Sequence, residues 1–328
     1  MTLLPRPTSV LRTLALAVAS TTIALTARAQ AAPAAAASAQ GPVRMNRAIE
    51  LLSSGQSTFG IFSHDRSLDN ARLLSRSGLD FVLIDMEHGP LDVETLRTFL
   101  LGMTDKRRVL EKGNMQPDVT PIVRIAPNGR DQASFIAKQV LDVGAMGVMF
   151  PYINTKEEAL QAVRSVRYPQ KRGAPDFEPQ GIRGSAPGNA VWLWGVSDYT
   201  DRADVWPLDP RGDLMAVIQI ETAEAVKNVS EILSVPGISA IFVGPADLAM
   251  SLGGTGEAGA AELEAAIQTV LRACKAKNIP IGITTNAQTV ERRIKEGFNF
   301  VTVSYGDGGI TPATATALQL GRTAAGRR

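Results

Sequence analysis

Cysteine is nearly absent from this 328-residue chain. Cys274 is the only one, which excludes an intrachain disulfide and any multi-cysteine metal centre. Set in a stretch of helical period, its thiol reads as a core filler rather than a nucleophile. A long apolar run is also missing: the strongest, Leu14 to Leu25, is shorter than the roughly 20 residues that a membrane-spanning helix needs. Charge of one sign is not in excess either. Lys and Arg number 34 against 32 Asp and Glu, and the first 29 residues hold three arginines and no acids, so without them the formal charge falls from +2 to −1. A near-neutral chain offers no concentrated cationic face for a phosphate backbone, which argues against a nucleic-acid partner.

What is present begins with an export signal. Arg6 and Arg12 precede the apolar run, and Ala27-Arg28-Ala29 is a small-x-small cleavage site, so residues 1–29 read as a signal peptide and the protein as exported, most simply to the periplasm. Once the signal is removed, no membrane partner is expected. Residues 30–42 are dominated by Ala, have no periodic apolar face and read as a disordered leader. The remainder, 43–328, reads as one domain; with 45% hydrophobic and 20% charged residues in the full chain, it can bury a core without staples.

From Val43 onward, short β-rich apolar runs alternate with segments of helical period, which argues for parallel strands joined by crossover helices. Eight strands are predicted: Ser57–Phe62, Phe81–Asp85, Pro121–Arg124, Gly147–Phe150, Met215–Ile220, Ile241–Val243, Ile281–Ile283 and Phe300–Ser304. Helical patterns cover Ser67–Ser77, Asp131–Val143, Lys156–Val166, Ala223–Leu233, Ala258–Lys277 and Ala287–Glu296, with Thr155 and Glu158 spaced as a capping box. Eight such units in roughly 280 residues match a closed α/β (β/α)8 TIM barrel. Two connections are long, Thr104–Thr120 and Tyr168–Asp213, the second holding Trp192, Trp194 and Trp206.

Active sites of such barrels lie on the loops that follow the strands, and polar groups gather there. Strand two ends in Asp85-Met86-Glu87-His88-Gly89-Pro90, strand three at Arg124, strand five in Gln219-Ile220-Glu221, and strand six leads into Gly244-Pro245-Ala246-Asp247. Taken singly, Glu221 and Asp247 are as readily helix caps as ligands. Following adjacent strands, however, their carboxylates would repel at the barrel mouth unless a cation lay between them. An oxygen-only pair with open positions suits Mg²⁺ or Mn²⁺ better than zinc, with Co²⁺ a further candidate.

Three segments, Phe-Val-Leu-Ile-Asp-Met-Glu-His-Gly-Pro, Val-Ile-Gln-Ile-Glu-Thr-Ala-Glu-Ala-Val-Lys-Asn and Ile-Phe-Val-Gly-Pro-Ala-Asp-Leu-Ala, resemble signatures of the HpcH/HpaI aldolase family, over roughly Ser57 to Asp307. Arg183-Gly184 resembles the family's Gly-Ile-Arg-Gly loop. The resemblance implies a phosphoenolpyruvate/pyruvate-binding type of barrel and a class II aldolase acting on a 4-hydroxy-2-keto acid, with pyruvate and an aldehyde as partners. It implies that Glu221 and Asp247 hold the metal, that Arg124 faces the keto oxygen, and that His88, oriented by Asp85, handles the proton of the aldol hydroxyl. Gln219 would support the site, and the amides of Gly244, Pro245 and Ala246 would receive the substrate carboxylate. Homo-oligomers, hexamers or trimers, are implied as well. His64 lies on the same face but matches nothing in the family pattern, and is set aside as a specificity residue or bystander. The export signal, an insertion at Lys106–Asp118 and the segment Trp192–Pro210 depart from the family. Two other readings are a citrate-lyase-like acyl-CoA lyase and a non-catalytic keto-acid binding protein.

Overall fold

A computed structural model describes residues 43–126, 134–305 and 309–327. The expected signal peptide and leader lie outside the described residues, as do the first three residues of the helix expected from Asp131. The strands are β1 Thr58–Ser63, β2 Phe81–Asp85, β3 Thr120–Arg124, β4 Gly147–Phe150, β5 Met215–Ile220, β6 Ala240–Val243, β7 Ile281–Ile283 and β8 Phe300–Tyr305, each end within one residue of the prediction. All pair in parallel in the order β7-β6-β5-β4-β3-β2-β1-β8. The seam from β7 to β8 is drawn together by Asn299 N donating to Ile281 O at 3.0 Å and Thr285 N to Thr302 O at 2.7 Å, with a parallel bridge between Thr284 and Thr302. The result is a (β/α)8 barrel.

The helices are α1 Arg47–Ser53, α2 Leu68–Leu74, α3 Val93–Gly102, α4 Lys106–Lys112, α5 Ser134–Asp142, α6 Lys156–Val166, α7 Gly188–Trp194, α8 Tyr199–Arg202, α9 Ala223–Lys227, α10 Val229–Ile232, α11 Pro245–Leu252, α12 Gly256–Ala276, α13 Val290–Glu296 and α14 Pro312–Ala324. The capping box at Thr155 and Glu158 starts α6 as expected. The helix expected over Ala223–Leu233 is instead two pieces, broken at Asn228, whose side chain donates to Asn154 O at 2.9 Å. That tertiary hydrogen bond leaves no trace in the apolar period. The long connections are not bare loops: α4 occupies the first, α7 and α8 the second.

Residues on a strand alternate between two faces, and here one face of every strand looks into the barrel. Phe62, Phe81, Leu83, Met149, Val217 and Phe242 belong to a separate interior cluster, floored by Ala48, Ile49 and Leu52 of α1 at the N-terminal ends of the strands. Phe81 stacks on Phe300 at 4.2 Å between centroids, and Phe62 meets Phe242 edge-on at 5.7 Å. Each such side chain contributes roughly 1.5–3 kcal/mol by leaving water. Glycine makes the room: a Cβ on Gly60 would lie 2.4 Å from the Phe81 ring. Counting on by twos from this apolar layer brings Asp85, Arg124, Gln219, Glu221 and Gly244 to the axis at the C-terminal mouth. The alternation that packs the core thus also aims the polar groups.

Part of the Trp192–Pro210 segment, which departs from the family pattern, lies away from the mouth. Trp206 N donates to Leu214 O at 3.0 Å and Trp206 O accepts from the Ser239 hydroxyl, just before β5 and β6 begin, so this stretch sits on the face opposite the mouth. Trp194 is buried, with Nε1 donating to Gly144 O at 2.9 Å. The single thiol, Cys274, is fully buried in α12, and that burial pushes it up to about 12.

Candidate active site

Neither Glu221 nor Asp247 is a helix cap. Thr222 caps α9, its hydroxyl accepting from Ala225 N, and Gly244 occupies the cap position of α11. Both carboxylates are therefore available for chemistry. Glu221 is buried, 1% exposed, and accepts from Tyr152 N at 2.8 Å through Oε1 and from Gln219 Nε2 at 2.5 Å through Oε2. Asp247, in the first turn of α11, accepts from the Tyr152 phenol at 2.9 Å through Oδ1. A Cβ at Gly244 would fall 2.4 Å from Glu221 Oε2, so only glycine allows the loop to close over that carboxylate.

Arg124 is the buried cation of the mouth. Its Nε and Nη2 form a fork on Asp85 at 3.0 and 2.5 Å, its Nη1 lies 3.0 Å from Glu87 Oε2, and its guanidinium rests 4.6 Å above the centroid of Phe62. Burial works against the Asp85 charge, but the hydrogen bond and charge of Arg124, with help from Glu87 N and His64, hold its carboxyl below the usual range. Burial likewise opposes the Arg124 charge, and Asp85, Glu87 and Glu221 outweigh it. Glu87 is pushed up, first by burial and then by Asp85 and Asp247, against Arg124 and His88.

The two imidazoles are not arranged as expected. Asp85 does not reach His88: its oxygens are taken by Arg124, by Glu87 N at 3.0 Å and by His64 Nε2 at 3.0 Å. His88 stands on the exposed rim with Nε2 at 3.8 Å from Glu87 Oε2. The pairing with Asp85 belongs to His64, because His64 continues directly from the end of β1 while His88 has left β2 by three residues. The amide expectation also needs correction. Gly244 N is spent on Ile220 O at 3.1 Å and Pro245 has no N–H, which leaves the unpaired first-turn amides of Ala246 and Asp247 as the donors of α11.

Sequence reasoning missed Tyr152, two residues beyond β4. Its backbone is left-handed, with φ of 53°. Such a conformation costs a non-glycine residue roughly 1–2 kcal/mol and points to a constraint imposed by its surroundings. The position after β4 could have been inspected like those after the other strands; the left-handed turn could not have been read.

A divalent cation fits these residues. Burial, then Glu87 and Asp247, push the Glu221 carboxyl up to about 8 against the Tyr152 N–H and Arg124, so a further cation beside it would favour the charged form. Gln219 Oε1 is buried without a hydrogen-bond donor, and Glu87 Oε2 meets the shared Arg124 guanidinium, at 3.0 Å. Every candidate donor is an oxygen, as hard cations require. Elsewhere among the described residues, Asp176, Asp204 and Asp209 bring carboxylate oxygens within 4.8 Å of one another, but the Arg167 guanidinium already pairs with two of the three, at 2.5 Å from Asp204 and 2.7 Å from Asp176.

Known proteins share this architecture. The family model described as HpcH/HpaI aldolase/citrate lyase matches residues 58–310. A Shigella boydii protein named 5-keto-4-deoxy-D-glucarate aldolase is 32% identical over 275 residues, 83% of this chain and 95% of that protein. A Sagittula stellata protein named hydroxypyruvate/pyruvate aldolase is 32% identical over 260 residues, 79% of this chain and 90% of that one. The crystal structure of a family member from Burkholderia cenocepacia matches with a TM-score of 0.65 and 28% identity, covering 84% of this chain and 95% of that one. With its barrel, its strand-end carboxylates and these matches, the chain belongs to the HpcH/HpaI aldolase/citrate lyase family.

Proposed function

We propose that this chain is a divalent-metal-dependent aldolase that cleaves or forms a 4-hydroxy-2-keto acid, with pyruvate or a close analogue as the keto half. The observation that carries the reading is the meeting, at one barrel mouth, of the Glu221 and Asp247 carboxylates with the fixed guanidinium of Arg124. Both relatives named above are called aldolases, which supports the class.

Glu221 and Asp247 would hold the ion, Mg²⁺ or Mn²⁺ by the chemistry of the donors. When bound, a divalent ion supplies Lewis-acid stabilisation of negative charge on a substrate oxygen. Arg124 keeps two of its five N–H donors on Asp85 and brings a permanent positive charge to the keto oxygen as electron density grows there. The Ala246 and Asp247 amides take the substrate carboxylate. His88, on the rim, removes the proton of the C4 hydroxyl; the C3–C4 bond breaks, its electron pair passes to the pyruvate half as the enolate, and the aldehyde leaves. Return of a proton to C3 completes pyruvate.

The test is release of pyruvate from a panel of 4-hydroxy-2-keto acids, followed with lactate dehydrogenase and NADH. Release that stops with EDTA and returns with Mn²⁺ is expected; no release from any member would sink the proposal. Export belongs to the same proposal: mature protein from the periplasm should begin at Gln30 on N-terminal sequencing, and retention of residues 1–29 would refute cleavage. Assembly into a trimer or hexamer is tested by light scattering, where a monomer mass would overturn it.

A further inference from the structure

Tyr152 has no part in the chemistry described above, yet it bonds both carboxylates proposed to hold the metal. Its main-chain N–H donates to Glu221 Oε1 at 2.8 Å and its phenol to Asp247 Oδ1 at 2.9 Å. We infer that Tyr152 is a positioning residue that pre-sets Glu221 and Asp247 as a pair for a divalent cation. The inference rests on the metal site proposed above and deepens it.

The geometry of each contact supports this role. Asp247 projects from the partly exposed first turn of α11, and among the described residues the phenol is the one hydrogen-bond partner of its carboxylate. Without it, the side chain would have to be ordered by the cation itself, which lowers affinity through lost rotamer freedom. Glu221 is already fixed by Gln219, and the Tyr152 N–H fixes its second oxygen. One residue therefore sets the two ligands relative to each other. The left-handed backbone at φ 53° is unfavourable for a residue with a β-carbon, and what it secures is an N–H aimed at Glu221 together with a ring laid towards α11. Outer donors that orient ligating carboxylates act in this way on metal affinity.

The test is Mn²⁺ binding to EDTA-stripped full-length protein by calorimetry, for wild type, Tyr152→Phe, Tyr152→Gly and Glu221→Gln. Tyr152→Phe keeps the ring and main chain and removes only the hydroxyl; its Kd for Mn²⁺ should rise about 10- to 100-fold. Turnover at saturating Mn²⁺ should return close to wild type, so the loss appears in the metal half-saturation and not in kcat. Tyr152→Gly relieves the left-handed backbone and should still bind weakly, which a purely structural role for the tyrosine does not explain. Wild-type affinity in Tyr152→Phe, with binding abolished in Glu221→Gln, would overturn the inference and leave the metal site standing. Failure of wild type to bind Mn²⁺ would overturn both.

Discussion

Replacing Glu221 by Gln should stabilise the metal-free protein at alkaline pH while removing its response to metal. An unfolded glutamate releases its proton near 4.5, whereas in the fold Glu221 holds it to about 8. Between those values the folded state binds the extra proton, so stability falls as pH rises through the window and levels off above it. At 1.36 kcal/mol per pH unit the loss from pH 5 upward is on the order of 4 kcal/mol, and at about 2 °C per kcal/mol for a domain of this length it is about 8 °C in Tm. The Glu221→Gln variant would have no such dependence: the amide oxygen it introduces can accept from Tyr152 N, and its NH₂ can donate to Gln219 Oε1, now without a partner, once the Gln219 amide turns over. The assay is thermal unfolding by circular dichroism in EDTA from pH 5 to pH 9. The wild-type Tm should fall by about 8 °C relative to the variant over that range, and Mn²⁺ at about 1,000 times its Kd should restore about 4 kcal/mol to wild type alone. Parallel pH curves for the two proteins would refute the electrostatic account of the site.

Four further substitutions separate the roles. Arg124→Lys keeps the charge but cannot form the fork on Asp85, and should lower kcat about 10²–10³-fold in the coupled pyruvate assay with the far-UV spectrum unchanged. Gly244→Ala drives a Cβ to 2.4 Å from Glu221 Oε2, and should cost about 1–3 kcal/mol in urea unfolding and weaken Mn²⁺ binding in calorimetry. His88→Asn should lower aldol cleavage about 10²–10⁴-fold, whereas His64→Asn, at the imidazole that pairs with Asp85, should stay within about 10-fold of wild type. The reverse order in that assay would transfer the proton role to His64.

Most of the barrel was legible because two simple periods produce it. Phe81 and Leu83 alternate with Val82 and Ile84, and the same count that buries them delivers Asp85 to the axis; the run from Met215 to Glu221 does this for Gln219 and Glu221. Contacts between loops follow no period. Nothing local says that His64 rather than His88 meets Asp85, since the loops after β1 and β2 set that distance. The break at Asn228 depends on Asn154, 74 positions away in the chain. Tyr152 was invisible for a related reason: a left-handed residue that is not glycine is held by its partners, Glu221 and Asp247, and not by its own preference.

The central claim is that this mouth forms and stabilises a pyruvate enolate with a divalent ion. Its most direct test is deuterium exchange into the methyl group of pyruvate, followed by NMR with the purified mature protein, with and without Mn²⁺ or Mg²⁺, beside Glu221→Ala and Arg124→Ala. Exchange that requires metal and disappears in both variants is the predicted result. Absence of exchange in wild type that demonstrably binds the metal would contradict the claim, and would direct attention to an acyl-CoA substrate or to a binding protein without turnover.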